Sequence, residues 1–373
     1  MTINNEHKKL NVPNLRFPEF QGEWEKCKLG DISEFSKDRL NSKGLSCDNY
    51  VATENMLQDY QGIVAASNIP SSTNVIKFSK GDVLLSNIRP YLKKVWYADR
   101  DGGCSADVLV FKALSACIPD FLHYVIANDR FINFAMSGAK GVKMPRGDKE
   151  QMKTYEIGLP SIEEQKKIAK LLSLLDERIT TQNKIIDKLQ SLIKGLRVSL
   201  MQIENGNIVH LDEIARIYQP QTISSTELTE DGFLVYGANG IIGKYKQYNH
   251  KTEQICITCR GNTCGMVNYT KPMSWITGNA MVINTDEHQN KVCKRYLYHY
   301  LSAYNFNSII SGSGQPQIVR TPLEQLKVPL PTFLEQKQKA TFLDKIQGKI
   351  EISNKTLNLY LQQKQYLLRQ MFI

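Results

Sequence analysis

Three cysteines in the second half of the chain have the spacing of a partial metal site. Cys256, Cys259 and Cys264 occur in the segment ICITCRGNTC, and a Cys-x-x-Cys pair is a common half of a zinc site. No second Cys-x-x-Cys pair follows, and the internal repeat described below places an asparagine and two leucines at the matching positions. We therefore expect reduced thiols in a core, with a zinc site as the alternative.

Other segments resemble catalytic motifs only in part. NIRPY at 87–91 resembles the N-P-P-Y box of amino-methyltransferases, but its second residue is Ile and its third is Arg. EQK at 164–166 and 335–337 resembles a nuclease E-x-K motif, although no carboxylate cluster precedes it. The six histidines form no HxH or HExxH pattern, and GxxxxGK[ST] is absent from the sequence. None of these segments is a complete catalytic motif, so the sequence offers no support for catalysis by this chain.

The clearest pattern is an internal duplication, which shows the elements that position these residues. LPSIEEQKKIAKLL at 159–172 returns 171 positions later as LPTFLEQKQKATFL at 330–343. GDVLLSNIRPYLKKVWY at 81–97 corresponds to EQICITCRGNTCGMVNY at 253–269. Short β-branched runs between Gly, Asp and Asn predict strands in both copies. The repeated unit is a mixed α/β module followed by a long helix.

The long helices have apolar positions that alternate by three and four, as in a coiled coil. Gln182 and Ser353 are equivalent polar positions near the two helix centres, and we interpret them as a polar layer that sets the register. Unrelated, tolerated polar residues are the alternative. The predicted seams comprise Ile168, Leu172, Leu175, Ile179, Gln182, Ile186, Leu189, Ile193, Leu196 and Leu200, then Leu343, Ile346, Ile350, Ser353, Leu357, Tyr360, Lys364, Leu367 and Met371.

Both helices begin with the same signals. Ser161 with Glu164, and Thr332 with Glu335, have the spacing of capping boxes. A helix of about 40 residues is about 60 Å long at about 1.5 Å per residue. Two such helices, packed antiparallel about a pseudo-twofold axis, would hold the modules apart as a rigid spacer.

Length and charge restrict the class of protein. A chain of 373 residues allows two or three domains. The net charge of +10 favours an acidic partner, but both large modules are close to neutral, so any nucleic-acid surface must be local. We find no apolar secretory segment at the start and no apolar run long enough for a membrane span. We therefore expect a cytoplasmic protein without a membrane partner.

Four segments, taken in order, resemble the specificity subunits of type I restriction-modification enzymes. They are VPNLRFPEFQGEWEKCKLGDI, GLPSIEEQKKIAKLLSLLDERI, YGANGIIGKY and VPLPTFLEQKQKATFLDKI. The resemblance covers the whole chain, and the order and spacing of the segments make it specific.

The resemblance implies an α+β fold, with two repeated mixed α/β target-recognition domains separated by two long antiparallel helices that form a pseudo-twofold coiled coil. It predicts a first recognition domain at 1–157, a central conserved spacer helix at 158–203, a second recognition domain at 204–328 and a C-terminal spacer helix at 329–373. Each domain would read one half of a split, asymmetric site in double-stranded DNA.

The resemblance also implies the partners. The helices would dock two methyltransferase subunits that bind S-adenosylmethionine and methylate adenine. Two restriction/translocase subunits would use ATP and Mg²⁺. We expect no cofactor and no metal in this chain, because the cofactors would belong to the partners.

Loops that combine cations, amides and glycines are the candidates for DNA contact, because Lys and Arg bind phosphates while Arg, Asn and Gln read base edges. The candidates in the first module are Arg89, Tyr91, Lys93, Lys94, Lys140, Lys143 and Arg146. Those in the second are Asn239, Lys244, Lys246, Arg260, Asn262, Gln315, Gln317 and Arg320. The first set is basic and the second is rich in amides, which predicts two different half-sites.

The candidates for methyltransferase docking are exposed charged positions on the helices or apolar residues off the seam: Lys166, Lys170, Lys337 and Arg369, or Leu171 and Leu174. Two alternatives stay open. One is a structural adaptor that binds proteins through its modules, and the basic glycine-rich loops speak against it. The other is a single-chain methyltransferase, which the missing cofactor motifs and the lack of a third large domain disfavour.

Overall fold

A computed structural model describes residues 11–202, 207–238, 240–312 and 314–373. The chain forms two compact units. Unit 1 consists of Met1–Thr181 and Leu357–Ile373, and unit 2 consists of Gln182–Thr356. Each long helix contributes residues to both units.

Up to the end of the first long helix the chain forms mostly short strands, then three short helices, one more strand and the long helix. In chain order they are β1 (Glu25–Lys28), α1 (Leu29–Ile32), β2 (Ser33–Phe35), β3 (Arg39–Asn41), β4 (Tyr50–Val51), β5 (Asn74–Phe78), β6 (Val83–Ser86), β7 (Val95–Tyr97), β8 (Gly102–Cys104), β9 (Val108–Ala113), α2 (Pro119–Ile126), α3 (Asp129–Ser137), α4 (Lys149–Lys153), β10 (Glu156–Leu159) and α5 (Ile162–Met201).

The second half of the chain repeats this order with fewer elements. They are β11 (Asn207–His210), β12 (Arg216–Tyr218), β13 (Phe233–Gly237), β14 (Gly240–Tyr245), β15 (Ile255–Thr258), β16 (Val267–Tyr269), β17 (Trp275–Ile276), β18 (Ala280–Asn284), α6 (Lys294–Ala303), α7 (Arg320–Glu324), β19 (Lys327–Leu330) and α8 (Phe333–Gln370).

Equivalent sheets in the two units confirm the predicted duplication. Unit 1 has a sheet of order β2-β9-β6-β7, and unit 2 has one of order β12-β18-β15-β16. Val83 lies opposite Tyr97 and Phe111, and its equivalent Ile255 lies opposite Tyr269 and Ile283. The two-stranded sheets β1-β10 and β11-β19 also correspond, whereas β3-β5-β8-β4 has the shorter counterpart β14-β13-β17.

Each unit buries its module helix between a sheet and the long helices. In unit 1, Phe121 of α2 stacks on Phe372 at 5.2 Å between ring centroids. The same core contains Leu172 of α5 and Leu367 of α8. In unit 2, Tyr296 of α6 joins a cluster of α5 and α8 residues that includes Leu343. Apolar burial of this kind is the main source of stability for a long helix.

Within unit 2 the long helices pack antiparallel. Gln182 Nε2 donates to the carbonyl oxygen of Ser353 at 3.2 Å, and Lys339 Nζ donates to the carbonyl oxygen of Leu200 at 2.8 Å. Residues farther along α5 therefore contact residues earlier in α8, as in an antiparallel pair. All predicted seam positions of α5 and α8 are buried or partly buried. Gln182 reaches the backbone of Ser353 and not its hydroxyl, and a role for this pair in setting the register stays a prediction.

Within unit 1 the α5–α8 contact includes an ion pair. Lys364 Nζ lies 2.5 Å from Asp176 Oδ1, and the Tyr124 hydroxyl of α2 donates to Asp176 Oδ2 at 2.9 Å. Lys364 occupies a predicted position of the apolar seam, where its long alkyl stem packs while its ammonium reaches a carboxylate.

The two helix starts differ at the predicted capping boxes. At α8, the Glu335 N–H donates to Thr332 Oγ1 at 3.4 Å and the Thr332 N–H donates to Glu335 Oε2 at 2.9 Å. At α5, the Glu164 N–H donates to Ser161 Oγ at 3.3 Å, but the Glu164 carboxylate turns to Arg16 and pairs with it at 2.7 Å. The reciprocal box predicted at Ser161 was therefore half right, because a partly buried cation competes for the carboxylate.

A glutamine next to each of these glutamates attaches the module to its helix. Gln165 Oε1 accepts from the Ile118 N–H at 2.9 Å, while its Nε2 donates to the carbonyls of Ala116 and Pro160 at 3.0 Å. Gln336, the equivalent residue in unit 2, repeats these bonds with the Cys293 N–H at 2.8 Å and with the carbonyls of Lys291 and Pro331. The recurring EQ of the sequence therefore has a second role beyond the helix start.

No helix among the described residues is long and apolar enough to cross a membrane.

Candidate nucleic-acid interface

Two of the predicted DNA-contacting loops of unit 1 pack against each other. We call residues 87–94 and 140–147 the paired loops of unit 1. The Arg89 N–H donates to the Pro145 carbonyl at 2.8 Å, and Ile88 forms a bridge with Arg146. Lys140 and Arg146 exchange two backbone hydrogen bonds of 2.9 Å that close the second loop. The loops therefore form one rigid edge rather than two separate segments.

Unit 2 builds the same arrangement from residues 259–266 and from residues 311, 312 and 314–318, which we call the paired loops of unit 2. The Gly261 N–H donates to the Pro316 carbonyl at 3.0 Å, and Ser311 and Gln317 exchange two backbone bonds of 2.8 Å. Arg260 forms the bridge with Gln317. These partners lie 171 or 172 positions after their equivalents in unit 1.

Backbone angles confirm that the loops are the same structure. Arg89 has φ of 51° and Lys93 has φ of 54°, and their equivalents Gly261 and Gly265 have φ of 87° and 90°. Glycine adopts this left-handed region freely, whereas Arg and Lys do so at a cost that the surrounding bonds must offset. The fold therefore imposes a loop conformation that the basic sequence of unit 1 would not choose alone.

A hairpin adds a third segment to the edge in unit 2. β13 and β14 turn at Ala238, whose carbonyl accepts the Thr263 hydroxyl at 3.2 Å. The predicted contact residue Asn239 lies outside the described residues. Lys244 pairs with Leu234 at the far end of this hairpin from the turn, and Lys246 follows the strand. The structure therefore does not bring these two lysines to the paired loops.

Half of the predicted cations already have carboxylate partners on their own surface. The Lys140 ammonium holds the pKa of Asp148 below its usual range through a charged hydrogen bond. Exposed ion pairs contribute only about 0–1 kcal/mol each, so a phosphate can replace the carboxylate at little cost. The pairs join Lys93 to Asp129 (2.9 Å), Lys140 to Asp148 (2.8 Å), Arg146 to Asp107 (3.0 Å), Lys244 to Asp231 (3.3 Å) and Arg320 to Glu324 (2.6 Å).

The other candidates differ in how accessible their side chains are for contact with DNA. Tyr91 is 48% exposed, as a residue that stacks on a base would need to be. Lys94 donates to the Thr53 carbonyl at 2.7 Å, which ties it to the module. Arg89 is only partly exposed, and its Nε has no hydrogen-bond partner among the described residues. The exposed candidates on the paired loops are Tyr91, Lys140, Lys143, Arg146, Arg260, Asn262, Gln315 and Gln317.

The three cysteines do not converge. Cys256 packs with Tyr236 in one cluster, whereas Cys259 and Cys264 pack with Ile257 in another. Burial raises the pKa of the Cys256 thiol to about 12, which disfavours the thiolate that a metal needs. Among the described residues, no group of three His, Cys, Asp or Glu side chains is placed to hold a metal ion.

Sequence reasoning missed a charged network in unit 2. His299 on α6 is fully buried, and its Nε2 lies 2.8 Å from Asp344 Oδ1 on α8. Its Nδ1 lies 3.2 Å from Arg197 Nε on α5, and Arg295 also pairs with Asp344. Burial lowers the pKa of His299, and the neighbouring Arg197 adds to this effect. The network binds the module helix to both long helices, and no motif in the sequence marks it.

It also missed how the N-terminal segment is attached in unit 1. The Glu164 carboxylate accepts from Arg16 at 2.7 and 2.8 Å and from Trp24 Nε1 at 3.1 Å. The exact recurrence of EQ could have identified Glu164 and Gln165 as more than helix-start residues. Nothing local could have paired Arg16 with a residue 148 positions away.

Comparison with known proteins places both units in one family. The family model described as "Type I restriction modification DNA specificity domain" matches residues 21–191 and again 204–361. The type I restriction enzyme MjaVIII specificity subunit of Methanocaldococcus jannaschii is 25% identical over 392 aligned positions, which cover 91% of this chain and 89% of that protein. The EcoprrI specificity subunit of Escherichia coli is 31% identical over 140 positions, or 36% of this chain and 34% of that protein.

Solved structures show the same fold. The S subunit of a type I restriction-modification system from M. genitalium aligns with a TM-score of 0.67 at 18% identity, covering 97% of this chain and 99% of that one. A chain from a study of complex assembly and conformational transition of the type I R-M system aligns with a TM-score of 0.54 at 20% identity, covering 92% and 96%.

Proposed function

The chain belongs to the family of type I restriction-modification DNA specificity subunits, and on that basis we propose that it reads a split, asymmetric site. It is a non-catalytic DNA-recognition subunit with two recognition domains. Each domain reads one half-site in double-stranded DNA. The domain bounds inferred from the sequence (1–157 and 204–328, with spacer helices at 158–203 and 329–373) are part of this proposal.

The single observation that carries the proposal is the presence of the same paired loops in both units with different side chains. Lys140, Lys143 and Arg146 line the second loop of unit 1, whereas Gln315 and Gln317 line its equivalent in unit 2. Equivalent backbones present the side chains at corresponding places, so a difference in side chains becomes a difference in the bases read. Two different half-sites follow, which argues against a palindrome.

The cations around these loops supply the sequence-independent part of binding. Phosphates replace Asp129 and Asp148 as partners of Lys93 and Lys140, and the release of counterions condensed on the DNA makes binding depend on salt. Lys244 and Lys246 serve the same purpose on the hairpin of unit 2.

The long helices set the distance between half-sites and dock two methyltransferase subunits. Exposed apolar residues on α5 and α8 support a docking role, because the contact between the two helices leaves them uncovered and exposed apolar surface of this kind marks protein interfaces. They include Leu174, Leu192, Leu334, Phe342, Ile352 and Leu359, beside the exposed cations Lys166, Lys170, Lys337 and Arg369.

The assembled complex carries the chemistry. Its methyltransferase subunits bind S-adenosylmethionine and methylate adenine, and two restriction/translocase subunits use ATP and Mg²⁺ for cleavage. This chain selects the site and positions those subunits.

Long-read sequencing tests the proposal directly. DNA from a host that expresses this chain with its cognate methyltransferase subunit is scored for N6-methyladenine. We expect one split motif, with two short fixed blocks around a gap of fixed length. Exchanging residues 1–160 for those of a relative should change one block and leave the other intact.

Two results would overturn the proposal. A soluble complex that methylates no site would favour a protein-binding adaptor. A palindromic motif would show that the two domains read the same bases.

A further inference from the structure

We propose that the residue closing the second of the paired loops is the principal base-reading position of each domain. In unit 1 this residue is Arg146, which is oriented by Asp107 and reads a guanine in one half-site. In unit 2 it is Gln317, which reads an adenine in the other. The inference rests on the proposed function and assigns part of its specificity to two named positions.

The backbone holds these two positions in the same way. Arg146 is fixed on one side by its two hydrogen bonds to Lys140 and on the other by the bridge to Ile88. Gln317 is fixed by two hydrogen bonds to Ser311 and by the bridge to Arg260. A residue bonded on both sides has little backbone freedom, as accurate recognition of a base edge requires.

A second position accompanies each of them and is also equivalent. The Asn87 N–H donates to the Asp107 carbonyl at 2.8 Å, and the Cys259 N–H donates to the Asn279 carbonyl at 3.1 Å. Asp107 directly precedes β9, and Asn279 directly precedes β18. The side chain at 107 or 279 therefore emerges from the same place in each unit.

The side chains at the two positions change together. Unit 1 has Arg146 with Asp107, and one guanidinium nitrogen lies 3.0 Å from Asp107 Oδ1. Unit 2 has Gln317 with Asn279, both exposed, and neither amide donates to or accepts from another described residue. An ion pair in one domain is thus replaced by two amides in the other.

The chemistry of these side chains matches two different bases. Arg donates two parallel hydrogen bonds to the O6 and N7 of guanine, whereas Gln donates to N7 and accepts from N6 of adenine. The single contact to Asp107 leaves further guanidinium N–H groups of Arg146 for a base. An exposed pair adds little stability, so the role of Asp107 is to orient Arg146.

The neighbouring cations are less suited to this task. Lys140 and Lys93 present a single ammonium already paired with a carboxylate, and a point charge does not distinguish guanine by two parallel bonds. Lys143 at the loop tip is exposed and suits a phosphate. Arg146 alone among the unit 1 candidates combines a planar donor group, exposure and a supporting carboxylate.

Exchange of the pair tests the inference in the full chain with its methyltransferase subunit. The variant D107N/R146Q transfers the unit 2 pair to unit 1. We expect one guanine in one block of the methylated motif to lose at least ten-fold in preference, with adenine gaining there, while the other block and the gap stay unchanged. The reciprocal variant N279D/Q317R should alter one adenine of the other block.

A single change separates orientation from structure. D107A should relax the preference for that one guanine. Sites that match the motif at every other position should still be methylated at the same rate. A purely structural role would lower methylation of all sites alike. The control D99N/R100Q removes another exposed Asp–Arg pair of unit 1 that is not on the paired loops, and it should leave the motif unchanged.

The outcomes are distinct. A fully methylated, unaltered motif in D107N/R146Q would overturn this inference and leave the proposed function intact. Uniform loss in D107A, with folding retained by circular dichroism, would overturn the role of Asp107. A wild-type complex that methylates nothing would refute the proposed function and this inference with it.

Discussion

Glu164 and Glu335 occupy equivalent positions, but one is buried in an ion pair and the other is an exposed helix cap. Glu164 is 1% exposed and bonds Arg16 and Trp24, while Glu335 accepts hydrogen bonds from Thr332 of its own helix start. The same residue in the same repeat therefore serves different purposes, because an N-terminal segment packs on the first helix.

This difference predicts unequal effects of the same substitution. Glu164→Ala should lower the free energy of unfolding by about 3 kcal/mol, because it leaves a buried Trp N–H and a partly buried guanidinium without their acceptor. Glu335→Ala should cost about 1 kcal/mol or less, as the loss of a surface cap does. Urea denaturation of both variants measures the two values, and equal losses would contradict the distinction.

The buried glutamines give a prediction in each unit. Gln165→Leu should destabilise the protein by about 2–4 kcal/mol, because the Ile118 N–H and two carbonyls lose their partner. Hydrogen exchange should then accelerate at the Ile118 amide, and Gln336→Leu should do the same at the Cys293 amide.

Gln190→Leu provides the control, since Gln190 is an exposed residue of α5 and its replacement should stay within about 0.5 kcal/mol. Unchanged exchange at Ile118 in Gln165→Leu would show that the module is held by other contacts.

His123 predicts a pH dependence of unit 1. Burial lowers its pKa to about 4, an effect that Lys364 increases and Asp176 opposes. Its ordinary pKa in an unfolded chain is about 6.5. Between these values the unfolded chain binds the proton and the folded chain does not, so stability falls as the pH falls from about 6.5 to about 4.

Comparison with His123→Phe isolates this effect. The unfolding free energy of the wild type should fall relative to that of the variant as the pH falls from 7 to 4.5, since the variant lacks the titrating ring. A difference that is constant with pH would indicate that His123 titrates normally in the folded chain.

Asp344 predicts the strength of the unit 2 network. Burial alone would raise the pKa of Asp344, but hydrogen bonds from His299 and Arg295 hold this pKa below its usual range. Asp344→Asn should cost about 2–4 kcal/mol, because Arg295 loses its counter-charge in a partly buried site. Thermal unfolding measures the loss against Asp187→Asn, a change at an exposed position of α5, and similar melting temperatures would refute the prediction.

Most of the architecture could be predicted because its signals are local or repeated. The seam of α5 and α8 follows from apolar spacing, and each predicted position is buried or partly buried. The strands of the two modules follow from matched segments such as 81–97 and 253–269. The candidate loops also followed from glycines and cations, although their roles in DNA binding stay predictions.

Contacts between distant residues could not be predicted in the same way. Arg89 and Pro145, or Arg16 and Glu164, are neighbours only because the chain folds back on itself. The ion pairs of the candidate cations depend equally on which carboxylate the fold brings near.

The sequence by itself determined the duplication, the two long helices and the family, since periodicity and repetition need no knowledge of which distant residues meet. Only the tertiary structure decided that the candidate loops join in pairs, that Glu164 is buried while Glu335 is exposed, and that Asp107 lies against Arg146. The physical reason is that a side chain's partner depends on three-dimensional proximity, burial and competition among acceptors, none of which is encoded at a fixed spacing along the chain.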